Sequence, residues 1–170
     1  MQRPDFREIS ARIQSVIGTI QRHDSEERFC SLGAKVEFGQ ATFADDHSIN
    51  LNGKHHSAKN WVIATGSSAA IPPIEGLKET PYITNREVFS LEKLSTSMVI
   101  VGGGPIGIEL AQAFTRLGTK VTVVEFLPQI LNADDADMTD MILDVLKSEG
   151  VEFHLNSAVQ STRDLGGERE

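Results

Sequence analysis

Apolar positions in this chain follow two different rhythms. Near the N-terminus, Ile9, Ile13, Val16, Ile17 and Ile20 recur every three to four residues, which predicts an amphipathic helix over residues 5–22. Asp24 and Glu27 stand at capping-box spacing ahead of a short second helical piece that stops at Gly33. Strand-like runs come next over 35–43, 48–51 and 56–64, with Asn52-Gly53 between the last two as a two-residue hairpin signal. This is an antiparallel pattern. Residues 65–80 are rich in Gly, Ser and Pro and read as a connecting segment, after which Thr84 or Asn85 caps a short helix toward Leu91.

The rhythm changes at Met98. Met98 to Val101 is an apolar run, and Ile106, Leu110, Phe114 and Leu117 then recur at helical spacing, a face expected to meet a sheet, with Gly118 as the stop. Val121 to Val124 forms a second run. Met138, Met141, Ile142, Val145 and Leu146 mark a second helix ended by Gly150, and Val151, Phe153 and Leu155 alternate as a third strand. The order β-α-β-α-β from Met98 to Leu155 is half of a doubly wound sheet, and Asp164-Leu165-Gly166-Gly167 reads as a hairpin turn. The expected fold is α/β: a Rossmann-type half-domain preceded by a helix and an antiparallel β segment. The expected division is residues 1–95 and residues 96–170. Half a nucleotide domain leaves a sheet edge unpaired, so the chain is expected to be a fragment of a larger protein.

Composition narrows the classes. Of 170 residues, 39% are hydrophobic, and the formal charge of −8 disfavours nucleic acid and anionic membranes as partners. No apolar run reaches the length of about twenty residues that a membrane span needs, and MQRPDFREIS lacks the apolar stretch of a signal peptide, so a cytoplasmic location is expected. Cys30 is the only cysteine; it excludes an intrachain disulfide and a cysteine-based metal site, and a buried or half-buried structural thiol is expected there.

The chemistry concentrates in Gly102, Gly104 and Gly107, a G-x-G-x-x-G placed between a strand and a helix. In such a turn the first glycine permits a sharp bend, the second lets backbone approach a pyrophosphate, and the third lets the helix lie close to the sheet. Pro105 suits the first helical position, and the helix end offers free N–H groups to an anion. Glu125 closes the next strand, where a carboxylate accepts hydrogen bonds from ribose hydroxyls and repels a 2′-phosphate, favouring NAD over NADP. The alternative is a nucleotide-free α/β turn with a surface Glu. Elsewhere, His55 and His56 flank a hairpin turn and are expected to be solvated rather than metal ligands. Asp134, Asp135 and Asp137 precede a helix without EF-hand spacing, and Trp61 is expected to pack in the core or on a sheet face. No metal site is expected.

Several segments together resemble one family. They are Gly39-Gln40-Ala41, Ile63-Ala64-Thr65-Gly66-Ser67 followed by Pro72-Pro73 and Gly76, Gly102-Gly103-Gly104-Pro105-Ile106-Gly107-Ile108-Glu109, and Val123-Val124-Glu125. The chain resembles the middle of a class I pyridine nucleotide-disulfide oxidoreductase, close to mercuric reductase and dihydrolipoamide dehydrogenase. The resemblance covers essentially the whole chain. It implies an FAD domain interrupted by an NAD domain, with Thr65, Gly66 and Ser67 against FAD and the backbone around Ala41 near its adenine. Gly102, Gly103, Gly104, Pro105, Ile106, Gly107 and Glu109 would line NAD(H), with Glu109 reaching toward nicotinamide and flavin. Glu125 would hold the adenosine ribose, and the Val159 backbone would contact the adenine. Without the resemblance, Glu109 is equally a first-turn acid stabilised by the helix dipole, and Thr65 and Ser67 are turn hydroxyls.

Hydride would pass from nicotinamide to flavin, to a cysteine pair, and to a small-molecule or disulfide substrate, in a homodimer of the full-length protein. Departures are equally plain. The family's C-x-x-x-x-C pair and its first G-x-G-x-x-G are absent, expected before Met1, and the dimerisation domain is expected after Glu170. No catalytic residue is therefore assigned within this fragment, and the chain alone is expected to lack reductase turnover. Mercuric reductases favour NADPH, so Glu125 draws the reading toward NAD. A non-catalytic dinucleotide-binding regulatory module is the alternative function.

Overall fold

The computed structural model describes residues 5–166. Its contacts divide the chain into two compact units, Gln14–Ser68 and a second made of Met1–Ile13 with Ala69–Glu170. Helix α1 (Phe6–His23) buries none of its residues, its apolar stripe remaining half-buried to exposed. Helix α2 (Glu26–Ser31) is capped one residue later than its sequence suggests: Ser25, not Asp24, accepts the Arg28 N–H, because the Ser25 backbone is extended and its Oγ reaches the third N–H of the helix. Cys30 is exposed, which corrects the expected burial, because a six-residue helix with no buried position has nothing to cover it.

Three antiparallel strands come next, β1 (Ala41–Asp45), β2 (Ser48–Leu51) and β3 (Lys54–Ser57), in the order β1-β2-β3. The β2–β3 turn is the one expected from Asn52-Gly53: both residues have left-handed φ, +52° and +77°, as a two-residue hairpin with the native strand twist requires. The other turn is closed by Asp45, whose carboxylate accepts the His47 N–H and the Ser48 hydroxyl. The middle strand has the expected bounds, whereas the first and third are shorter than the runs that announced them and shifted along the chain. The third ends at Ser57, and Trp61, Val62 and Ile63 continue outside any ladder with Val62 and Ile63 exposed, since β3 pairs only with the four residues of β2. Trp61 meets Phe43 edge-to-face, ring centroids 5.9 Å apart.

After the connector, a 3₁₀ turn (Glu87–Ser90) takes the place of the expected helix; Glu87 accepts hydrogen bonds from both the N–H and the hydroxyl of Thr84. The rest is the expected alternation: β4 (Ser97–Val101), α3 (Pro105–Leu117), β5 (Lys120–Val124), α4 (Ala136–Glu149) and β6 (Glu152–His154), in a parallel sheet ordered β4-β5-β6. Register aligns Met98 with Val121 and Ile100 with Val123, so these four side chains share the face that meets Ile108, Ala111 and Phe114 of α3. The β-α-β crossovers bring α3 onto β5 and α4 against α3.

The helix faces are rotated from the expected ones. Ile106 is exposed and Ile108 and Ala111 are buried, while α4 buries Thr139, Leu143 and Leu146 and leaves Met138, Met141 and Val145 exposed. Thr139 tolerates burial because its hydroxyl donates to the Ala136 carbonyl. No helix among the described residues is long and apolar enough to cross a membrane.

Candidate functional site at the glycine turn

Strands β4 and β5 end side by side, and the loops leaving their C-terminal ends form the site. Gly102 leaves β4 with φ +108°, donating its N–H to the Val124 carbonyl at 2.9 Å. Gly103 donates to Glu125 Oε2 at 2.5 Å, and its own carbonyl accepts the Leu131 N–H at 2.9 Å. Gly104 is the N-cap of α3 and Pro105 its first residue. A Cβ on Gly107 would strike the Gly102 carbonyl and lie 3.3 Å from Ile100 Cγ2, so close helix-to-strand packing is the contribution of this glycine.

The opposite holds at Gly104, where a Cβ would meet nothing within 4 Å. No side chain caps α3, and among the described residues the N–H groups of Gly104, Ile106 and Gly107 have no protein partner. Three N–H groups without a protein partner, at the positive end of a 13-residue helix and with open space beside Gly104, form an arrangement that can accept an anion.

Glu125 is more engaged than its strand-end position suggests. Beside the Gly103 N–H, its carboxylate accepts the Leu127 N–H at 2.7 Å, so it braces the glycine turn and the loop after β5 together. An ionised carboxylate has about four acceptor positions, so two remain for other donors. Glu109 lies exposed on α3, beyond its first turn. Val159 lies in the loop after β6, which is tied back by Ser157 N–H to the Glu125 carbonyl at 2.9 Å, and its own peptide has no partner among the described residues. A depression of about 200 Å³ joins these pieces, with Val101, Gly102, Val124, Glu125, Ser157 and Val159 in its wall.

The structure thus gathers Gly102, Gly103, Gly104, Glu125 and Val159 at one edge of the parallel sheet, while Ile106 and Glu109 project from exposed positions on α3. Ala41, Thr65, Gly66 and Ser67 belong to the antiparallel unit: Ala41 pairs with Leu51 in the ladder, and Thr65 to Ser67 form an exposed segment with Gly66 at φ +66°. Two contributors escaped the sequence reading. Ile130, almost fully buried, packs over Gly103, and Pro72 and Ile74 of the connector stand in the wall of the depression. Neither carries a periodic signal.

Residues 4–169 match the family described as pyridine nucleotide-disulphide oxidoreductase. The chain belongs to this family. Among curated relatives, the dihydrolipoyl dehydrogenase of Acholeplasma laidlawii is 37% identical over 136 residues, 78% of this chain and 40% of that protein. The mercuric reductase of Staphylococcus aureus is 31% identical over 145 residues, 83% of this chain and 26% of its own length. The solved Cu(II) complex of the HOCl-induced flavoprotein disulfide reductase RclA from Escherichia coli superimposes with a TM-score of 0.85 at 28% identity, covering 99% of this chain and 39% of that one. The chain therefore spans well under half the length of each of these oxidoreductases.

Proposed function

We propose that the glycine turn, Glu125 and Val159 form the binding site for the NAD(H) of a flavin-dependent oxidoreductase. In this reading the antiparallel unit supplies Ala41, Thr65, Gly66 and Ser67 to its FAD. The observation that carries the reading is the uncapped α3 terminus, where three N–H groups have no partner among the described residues and Gly104 leaves open space beside its own backbone. When bound, these cofactors supply hydride transfer from nicotinamide to flavin, and reducing equivalents then pass to a disulfide or metal-ion substrate.

The chain's own residues have separable roles. Gly104, Ile106 and Gly107 hold pyrophosphate charge through their N–H groups, and the two remaining acceptor positions of Glu125 take ribose hydroxyls. Glu109 is the residue of α3 directed to the nicotinamide side. At the FAD turn, Gly66 leaves open space where a Cβ would meet nothing within 4 Å, room for a cofactor to lie against backbone. By the same family reading, the full-length enzyme is a cytoplasmic homodimer.

Calorimetric titration of the chain with NADH and NADPH tests the site. Glu125→Arg is expected to reverse the preference toward NADPH. Equal loss of both ligands would mean that Glu125 only braces the turn, and no change in either would remove it from the site. Because Cys30 is the single cysteine, the chain by itself favours dinucleotide binding without disulfide turnover. NADH consumption by the purified chain with a disulfide substrate would overturn that second reading.

A further inference from the structure

The connector between the two family motifs is a built element. Within it, Ile74 N–H donates to the Pro72 carbonyl at 2.9 Å, and Thr80 returns both its N–H and its hydroxyl to the Gly76 carbonyl, at 3.0 and 2.9 Å. It is then fastened to the strand-like segment after β6. Glu75 pairs with Ser161 in a parallel bridge, the Thr162 N–H donates to the Glu75 carbonyl at 2.8 Å, and the Thr162 and Thr80 hydroxyls meet at 3.2 Å. Gly76, at φ +76°, permits this approach; a Cβ there would collide with the Thr162 carbonyl. Thr80 is buried by the contact.

The fastening has a consequence for the depression at the sheet edge. It holds Pro72 and Ile74 as an apolar part of a wall that also includes Glu125, Ser157 and Val159, whose peptide has no partner among the described residues. At about 200 Å³ the depression is smaller than the roughly 300–1,000 Å³ typical of whole-ligand pockets, and matches one ring system. A planar heteroaromatic ring needs two things there: an apolar surface for its face and a backbone donor and acceptor for its edge. Ile74 and Pro72 provide the first, and the Val159 peptide provides the second.

We propose that Ile74, with Pro72, is a positioning and specificity residue for the purine ring of the dinucleotide, so that the connector completes the adenine end of the site. The proposal rests on the NAD(H) reading of the glycine turn. It also makes the adenine the point at which the ligand touches the connector itself.

The test uses the full chain with labelled isoleucine methyl groups, titrated with NADH. As the amide signals of Gly104 and Ile106 shift, a nuclear Overhauser contact is expected between adenine ring protons and the Ile74 δ1 methyl. Shifted amides without that contact overturn the wall and leave the dinucleotide site standing. No shift at either amide overturns both. In parallel, Ile74→Ala is expected to weaken NADH binding about five- to tenfold while leaving reduced nicotinamide mononucleotide, which lacks the adenosine, unchanged. Equal NADH affinity in the variant, or equal loss for both ligands, overturns the assignment; the Overhauser contact in the unaltered chain decides it even if the variant folds poorly.

Discussion

The two sheets of this protein are built from similar numbers of residues and reach opposite degrees of burial. In the parallel sheet, Val121 and Val123 are completely inaccessible, and Ala111 of α3 is too, because helices pack on one face of strands that share a register. In the antiparallel sheet only Ser48 and Leu51 are buried, and Phe43 stays half exposed. The antiparallel strands are joined by short hairpin turns, which bring no covering layer with them. A parallel pair is joined only by a crossover, and the crossover helix is itself the covering layer. Topology, more than apolar content, decides which unit owns a core.

The largest expected effect tests that ownership. Leu146→Ala, at an almost fully buried site of α4, should cost about 2–5 kcal/mol in denaturant unfolding, whereas Phe43→Ala should cost much less. Comparable losses would mean that the antiparallel unit has a core of its own. Next is Gly107→Ala, which forces a methyl group against the Gly102 carbonyl; a loss of about 1–3 kcal/mol is expected, together with weakened NADH binding, because the turn must open to admit it. Stability and binding falling together distinguishes this from a remote packing defect, which would spare the affinity.

Gly53→Ala probes the antiparallel unit on its own terms. Its φ of +77° is left-handed with nothing near a new Cβ, so the expected cost is about 1–2 kcal/mol of conformational origin, read as faster amide exchange across β2 and β3 with β4 and β5 unaffected. The smallest effect is at the α3–α4 contact. Arg116 meets Glu149 through two hydrogen bonds, at 2.6 and 2.9 Å, with Gln112 adding two at 3.2 Å. Hydrogen bonding from Arg116 is the main cause that holds the Glu149 carboxyl below its ordinary range. A depressed folded-state pKa contributes stability above the ordinary Glu value of about 4.3 and loses it as pH falls through the folded value. The melting difference between the parent and Glu149→Gln should therefore be present at pH 7 and close in acid; a difference that widened in acid would assign Glu149 another partner.

Most of the parallel half was legible in the residues, since each of its elements is set by local patterns. Gly118 and Gly150 stop their helices with left-handed φ of +99° and +103°, and the apolar runs at 98–101 and 121–124 became β4 and β5 nearly unchanged. Asn52-Gly53 was equally local and equally readable. Helix faces were less so. Ile106 is apolar yet exposed, and Thr139 is polar yet buried, because a helix rotates to fit the sheet beneath it, and that fit belongs to no single helix. Strand ends in the antiparallel unit were misjudged for a related reason: a run such as 56–64 can be β-prone along its length, but its ladder is only as long as the partner strand.

By itself, then, the sequence determined the order of elements, the turn chemistry and the glycine spacing between β4 and α3, all of which depend on neighbours within a few residues. Tertiary structure alone decided that Glu125 braces Gly103, that Ile130 roofs the turn, and that the connector fastens to Thr162 and brings Ile74 to the depression. Each of these joins residues more than twenty positions apart. Such pairings are selected by packing and by the need to satisfy backbone groups across the fold, and no local pattern encodes them.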